Sequence, residues 1–178
     1  IPAIKKICKK NNLKFILDCA QSPLSKYKNK FSSEYADVAG YSFNYHKHIS
    51  TGEGGVILTS NKEIARKLQL IRNHGEIVVD KKEKKNHNIL GFNFRLGEIE
   101  SAIGIEQLKK LKRIVKKKQT LAKFLNKFLQ KFDGIITPIV QNNFTHSYYV
   151  YAMRINKNLI KTHKKEIEKF IKLENLPI

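Results

Sequence analysis

Two short apolar runs, each stopped by a polar residue, constrain this chain more than any other feature in it. In LKFILDCAQ the run Leu13 to Leu17 halts at Asp18, and a second run from Asp37 to Phe43 carries Ser42 at its end. Runs of that length, apolar without alternation, suit strands buried inside a parallel sheet. In such sheets ligands sit beyond the carboxyl ends of the strands. A third strand is expected from Gly55 to Thr59, after the glycine-dense turn GEGG. Helical patterns flank these runs. Pro2 stands in a first turn, with Ile4, Ile7 and Cys8 behind it at helical spacing. Asn61 is the expected N-cap of a helix reaching Asn73, with Ile64, Leu68 and Ile71 on one face and His74-Gly75 closing it. This alternation of strand and helix predicts an α/β fold.

The remainder is less regular. Residues 20–35, with Pro23, Ser25, Asn29 and Ser32-Ser33, read as loop, and the run KKEKKNHN within 76–89 reads as a solvated loop. From Leu96 a helical period persists through Ile99, Ile103, Leu108, Leu111 and Val115, then through Leu121, Leu125, Phe128 and Phe132. It predicts one long helix, or two with a kink near Lys116 to Gln119. Asp133-Gly134 turns the chain, a strand is expected around Tyr148 to Ile155, and a basic amphipathic helix around Lys161 to Leu173. The end has the look of a second unit just begun, and no internal repeat is present.

The 178 residues suffice for one ordinary domain, and an apolar content of 41% argues against wholesale disorder. No apolar stretch approaches a membrane span. The two cysteines, Cys8 and Cys19, lack metal-type spacing and fit reduced thiols in a cytoplasmic protein. The formal charge of +20 comes from thirty lysines and only five arginines, scattered over the helical segments. Nucleic-acid readers lean on arginine, so solvated helix faces account for the charge better than a basic binding module, which stays as an alternative. The chain opens on Ile1, has its one methionine at Met153 and ends in KLENLPI, so truncation at both ends is expected.

The stretch GYSFNYHKHISTGEGG, residues 40–55, holds the chemistry. His46 and His48 lie two apart with no carboxylate or cysteine to complete a ligand set, so no metal site is expected. GEGG is followed by a strand and lacks the lysine of a phosphate-binding P-loop; its glycines serve a tight reversal. His87 and His163 fall in lysine-rich surroundings that assign them nothing. Lys47 gains meaning through its company. Asp18 ends one strand, Gln21 follows three residues later, Ser42 ends the next strand, and Lys47 comes five residues beyond. Adjacent parallel strands would bring all four to one rim. A carboxylate, an amide, a hydroxyl and an amine there match the needs of pyridoxal 5'-phosphate (PLP): covalent capture by lysine, a protonated ring nitrogen, and donors for the phosphate.

Four stretches in this order, FILDCAQS, GYSFNYHKHISTGEGGVILT, IRNHG and GFNFRLGEIESAIGIEQLKKL, resemble the DegT-type (DegT/DnrJ/StrS) sugar aminotransferases. The resemblance runs from about Ile1 to Arg154. It implies the aspartate aminotransferase fold (fold type I), with residues 1–112 as the second half of the PLP-binding large domain. Residues 113–178 would be the connecting helix and the beginning of a small C-terminal α+β domain. It also implies roles. Asp18 pairs with the pyridine nitrogen, Gln21 bonds near the phenolic oxygen, Ser42 takes the phosphate, and Lys47 binds the cofactor and moves the proton. Asn93 matches a residue that reaches the partner subunit's cofactor phosphate in a homodimer, and Arg95 matches an arginine that would meet substrate.

The resemblance further implies transfer of an amino group, with glutamate as donor, to a nucleotide-linked keto-sugar in surface-polysaccharide or amino-sugar biosynthesis. No membrane or nucleic-acid partner is implied. Relatives that carry histidine in place of the lysine act as sugar dehydratases. Counting five forward from Ser42 and five back from Gly52 both land on Lys47, which favours the aminotransferase branch over a dehydratase or an inactive relative. One departure is SSEYADVAGYSF, which lacks a glycine that relatives often carry ahead of the aspartate. The larger one is length: an upstream half that supplies the stacking aromatic and further phosphate contacts is not in these residues, so the 178 residues alone are expected to be weakly active or inactive.

Overall fold

The computed structural model describes residues 1–76 and 89–174; the KKEKKNHN run and His87 lie outside the described residues. Helix α1 spans Pro2–Lys10, with proline in its first turn and Lys9 and Lys10 in its last. Strand β1, Ile16–Asp18, pairs in parallel with β4, Val38–Ser42, in the register Ile16↔Val38, Leu17↔Ala39 and Asp18↔Gly40. Strand β5, Gly55–Leu58, returns antiparallel on the other side of β4, so the sheet order is β1-β4-β5. The expectation that β1 is a buried strand is corrected: Ile16 is 72% exposed, because β1 is an edge strand of this sheet.

The segment expected to be loop between β1 and β4 carries a small hairpin, β2 (Lys26–Tyr27) with β3 (Lys30–Phe31), followed by a 3₁₀ turn at Ser32–Tyr35. Its two turn residues, Lys28 and Asn29, both have positive φ, as tight hairpin turns require. Lysine is not a turn signal and two-residue strands show no period, so the sequence pattern could not reveal them.

Helix α2, Lys62–Arg72, starts where Asn61 Oδ1 accepts the Ile64 N–H at 3.0 Å. Helix α3, Glu98–Leu129, runs 32 residues, roughly 48 Å at helical rise. It is continuous through 116–119, so the one-helix alternative is the correct one. Its inward face carries Gly104, Leu111, Val115 and Ala122. Leu111 and Val115 close on Ile49, with Leu24, Phe43 and Ile114 packed around them. Strand β6, Ile135–Ile136, pairs antiparallel with β7, Arg154–Ile155. The strand expected from Tyr148 is thus confined to its last two residues. Helix α4, Lys157–Leu173, begins earlier than predicted and bends at His163. Among the described residues no helix is long and apolar enough to cross a membrane.

The end of α2 is locked to the strand of chain after residue 89. His74 N–H donates to Phe92 O at 2.9 Å, Phe92 N–H to Ile71 O at 2.7 Å, and Phe94 N–H to Arg72 O at 2.9 Å. Gly75, at φ +78°, lies so close that an added Cβ would overlap the Ile89 carbonyl, and a Cβ on Gly91 would overlap the Gly75 nitrogen. Both obstacles are backbone and cannot swing aside. Gly91→Ala and Gly75→Ala are therefore expected to lower stability by about 2 kcal/mol or more. Gly40→Ala, where a Cβ meets nothing within 4 Å, should stay within about 1 kcal/mol of native. Urea unfolding midpoints of the three variants check this.

Candidate functional site

Because β1 and β4 run parallel, their carboxyl ends open on the same edge of the sheet. Asp18 closes β1 level with Gly40, and Ser42 closes β4 two residues further on. The loop that follows is closed upon itself by short polar groups. Ser42 Oγ accepts the Asn44 N–H at 3.2 Å, Asn44 Oδ1 accepts the His46 N–H at 3.2 Å, and Asn44 O accepts the Lys47 N–H at 3.0 Å. Thr51 N–H returns to Phe43 O at 3.0 Å, and Phe43 N–H donates to Gly54 O at 2.8 Å. Gly52 and Gly54 both have positive φ, and a Cβ on Gly54 would sit 2.9 Å from Leu96 Cδ1 and Thr51 Oγ1. The glycines thus shape the turn that presents Lys47.

A cavity of about 500 Å³ lies between the sheet and α3, and Ser42, Lys47, His48, Cys19, Tyr41 and Leu108 are among the residues lining it. Asp18 and Gln21 are exposed at its margin; Cys19 and Ala20, next to Asp18, line it. Asp18 Oδ1 accepts the Ala20 N–H at 2.8 Å. Gln21 contributes its main-chain carbonyl, which accepts the Ser147 hydroxyl at 3.1 Å. Asn93 and Arg95 are not among the lining residues. Asn93 is exposed and bridges Asn73 through the main chain, and Arg95 Nη1 donates to Asn73 Oδ1 at 3.0 Å.

Lys47 is half-buried, with Nζ 4.6 Å from the ring centroid of Tyr149. Among the described residues it has no ion-pairing carboxylate. An aromatic face attracts an ammonium by about 0.5–2 kcal/mol. The two neighbouring histidines, to which the sequence assigns no metal, differ in their surroundings. His46 is exposed, its ring centroid 3.6 Å from that of Tyr45 with the planes tilted by 36°. His48, in contrast, is buried, and its Nε2 donates to the Ser147 carbonyl at 2.8 Å. Burial pushes its pKa below the ordinary value; the bond to Ser147 opposes this, and Lys118, His146 and Lys47 add to the lowering. The ring is therefore neutral at pH 7, and its buried Nδ1 has no partner among the described residues. The contact joins positions 99 apart in sequence, and no local pattern announces it.

These groups fit PLP. Ser42 Oγ accepts from Asn44 and retains its own O–H to donate to a phosphate oxygen. Asp18 has one oxygen held by a backbone N–H and the other available to a ring nitrogen. Lys47 offers an amine without a competing carboxylate.

The sequence profile of the DegT/DnrJ/EryC1/StrS aminotransferase family matches residues 1–177. The chain is 38% identical over 122 residues to a UDP-4-amino-4,6-dideoxy-N-acetyl-beta-L-altrosamine transaminase of Helicobacter pylori, covering 68% of this chain and 32% of that protein. It is 30% identical over 166 residues to a GDP-perosamine synthase of Caulobacter vibrioides, covering 93% of this chain and 44% of that one. Among solved structures, Helicobacter pylori PseC, an aminotransferase involved in the biosynthesis of pseudoaminic acid, superposes with a TM-score of 0.83 at 29% identity, over 96% of this chain and 46% of that structure. The chain thus spans less than half the length of these relatives. Its fold is the corresponding part of fold type I, and the chain belongs to the DegT/DnrJ/EryC1/StrS aminotransferase family.

Proposed function

We propose that these residues are the lysine-bearing part of a PLP-dependent aminotransferase that acts on a nucleotide-linked keto-sugar, with glutamate as amino donor. The observation that carries the reading is the meeting of Lys47 and Ser42 in one cavity beside the strand end that bears Asp18. The UDP-sugar transaminase and the GDP-perosamine synthase, as named relatives, support the substrate class. Bound PLP supplies an electron sink that lets the carbon bearing the amino group lose its proton.

The chain's own groups then divide the work. Asp18 would hold the ring nitrogen protonated, Gln21 would bond near the phenolic oxygen, and Ser42 would donate to the phosphate. Lys47 would hold the cofactor through its amine and would move the proton to and from the substrate carbon. Asn93, exposed and turned away from its own cavity lining, reaches the phosphate in the partner of a homodimer, and Arg95 faces substrate. Residues 1–112 belong to the large domain; 113–178 form the connecting helix and the beginning of the small domain, the boundary falling within the continuous α3. The enzyme works in the cytoplasm, in surface-polysaccharide or amino-sugar biosynthesis. The 178 residues alone turn over weakly or not at all, since the upstream half that would supply the stacking aromatic and further phosphate contacts is not among them.

Two outcomes test this in the parent protein. Lys47→Ala is expected to abolish both transamination and the visible absorbance of bound PLP; a band that survives would show Lys47 to be the wrong lysine. Mixing Lys47→Ala with Asn93→Ala subunits should regenerate one intact site in each hybrid dimer, about a quarter of native activity for statistical mixing across an isologous interface. No recovery on mixing would remove Asn93 from the partner's site.

A further inference from the structure

We propose that the segment from Phe144 to Tyr149 is a strap that positions Lys47, with His48 fastening it and the Tyr149 ring face holding the lysine amine. The inference deepens the proposed function, since it concerns the lysine on which that reading rests.

The strap is tied down along its whole length. Thr145 exchanges two bonds with Lys26: its Oγ1 accepts the Lys26 N–H at 2.7 Å, and its own N–H donates to Lys26 O at 2.9 Å. The Phe144 ring lies 4.5 Å from that of Tyr27. Gln119 Nε2, on α3, donates to His146 O at 3.0 Å. Ser147 is 2% exposed; its hydroxyl donates to Gln21 O at 3.1 Å, and its carbonyl receives His48 Nε2 at 2.8 Å. Lys118 Nζ reaches Tyr149 O at 3.5 Å. Bonds from the hairpin, from Gln21, from α3 and from His48 thus converge on residues 145–149.

Tyr148 has φ +52°, in the left-handed region, and its N–H bonds His146 Nδ1 at 2.9 Å. A tyrosine persists in that conformation only where surrounding contacts impose it. The result of the turn is that the next residue, Tyr149, lies face-on to Lys47 Nζ at 4.6 Å. His48 suits its part. As a neutral ring it donates from Nε2 without placing a further positive charge beside Lys47, Lys118 and His146, the titratable groups that face it. A cationic side chain at 48 would repel the amine it adjoins. His48 and Tyr149 act through Lys47 and are positioning residues.

The cofactor-free parent protein, its lysines reductively methylated with ¹³C-formaldehyde, provides the test. The Lys47 methyl resonance is assigned by its loss in Lys47→Arg, and a ring face above it shifts the signal upfield. That shift is expected to vanish in Tyr149→Leu, persist in Tyr149→Phe and grow in Tyr149→Trp, the ring that binds cations best. His48→Ala should at least halve it, whereas His48→Asn, whose amide N–H can still donate to Ser147 O, should retain most of it. An unmoved signal in Tyr149→Leu, or one equally lost in Tyr149→Phe, would overturn the ring-face contact. An unmoved signal in His48→Ala would overturn the fastening. The rate at which added PLP develops visible absorbance on Lys47 should fall by about threefold or more in Tyr149→Leu and not in Tyr149→Phe. Absence of any such band in the unsubstituted protein would defeat the proposed function, while the methyl shifts would still decide the strap.

Discussion

The parallel pairing of β1 with β4 is the constraint on which the rest of the site depends. Its register sets Asp18 level with Gly40, which leaves Ser42 two residues higher on the neighbouring strand. Side chains alternate faces along a strand, so a slip of one residue would turn Asp18 away from the side that Ser42 shares. Only three register pairs hold β1 in place. They are reinforced from outside the strand, because Asp37 Oδ2 accepts the Phe15 N–H at 2.8 Å and Phe15 O accepts the Asp37 N–H at 2.9 Å. The aspartate that opens the second apolar run is thus a register clamp.

The lysine loop takes its position from a different source, the long helix. Ile49, two residues beyond Lys47, is buried against Leu111 and Val115 of α3. About two to three turns toward the amino end of that helix, Gly104 lets Thr51 approach so closely that a Cβ there would lie 3.3 Å from Thr51 Cγ2. Lys47 therefore has packed neighbours on its own loop, a helix behind them, and the Ser147–Tyr149 strap in front. A charged side chain between such surfaces keeps its rotamer without an ion pair. An exposed lysine pays more entropy to hold one position, and this arrangement removes that cost before any ligand arrives.

Much of this was legible in sequence because it is local. Asn61 as a cap, the stop of the run at Asp18, the glycines of GEGG and the 3.6-residue period of α3 are each written within a few residues. What escaped was either too short to have a period or made by distant partners. Strands β2, β3, β6 and β7 have two residues each, below the length at which alternation can be seen. Tyr148 looked like the start of a strand because VYAMRI is apolar and aromatic, yet its backbone is left-handed; tertiary bonds to His48, Gln119 and Lys118 outweighed β propensity. The burial of His48 was invisible for the same reason. A histidine between a lysine and an isoleucine says nothing of a carbonyl 99 residues on.

The edge position of β1 has a wider consequence. Apolar side chains are exposed on both flanks of the sheet. Ile4 and Ile7 of α1, Ile16 of β1 and Ile57 and Leu58 of β5 are each about half exposed or more, and among the described residues no strand pairs with the outer side of β1 or β5. Free edges of this kind invite pairing with further strands. Covering them would bury the flanks of the very sheet whose rim carries Asp18 and Ser42, and would raise the local field strength at both groups by excluding water. The lysine loop is thus held by contacts within this chain, whereas the rim that carries Asp18 and Ser42 borders edges to which no strand is paired among the described residues.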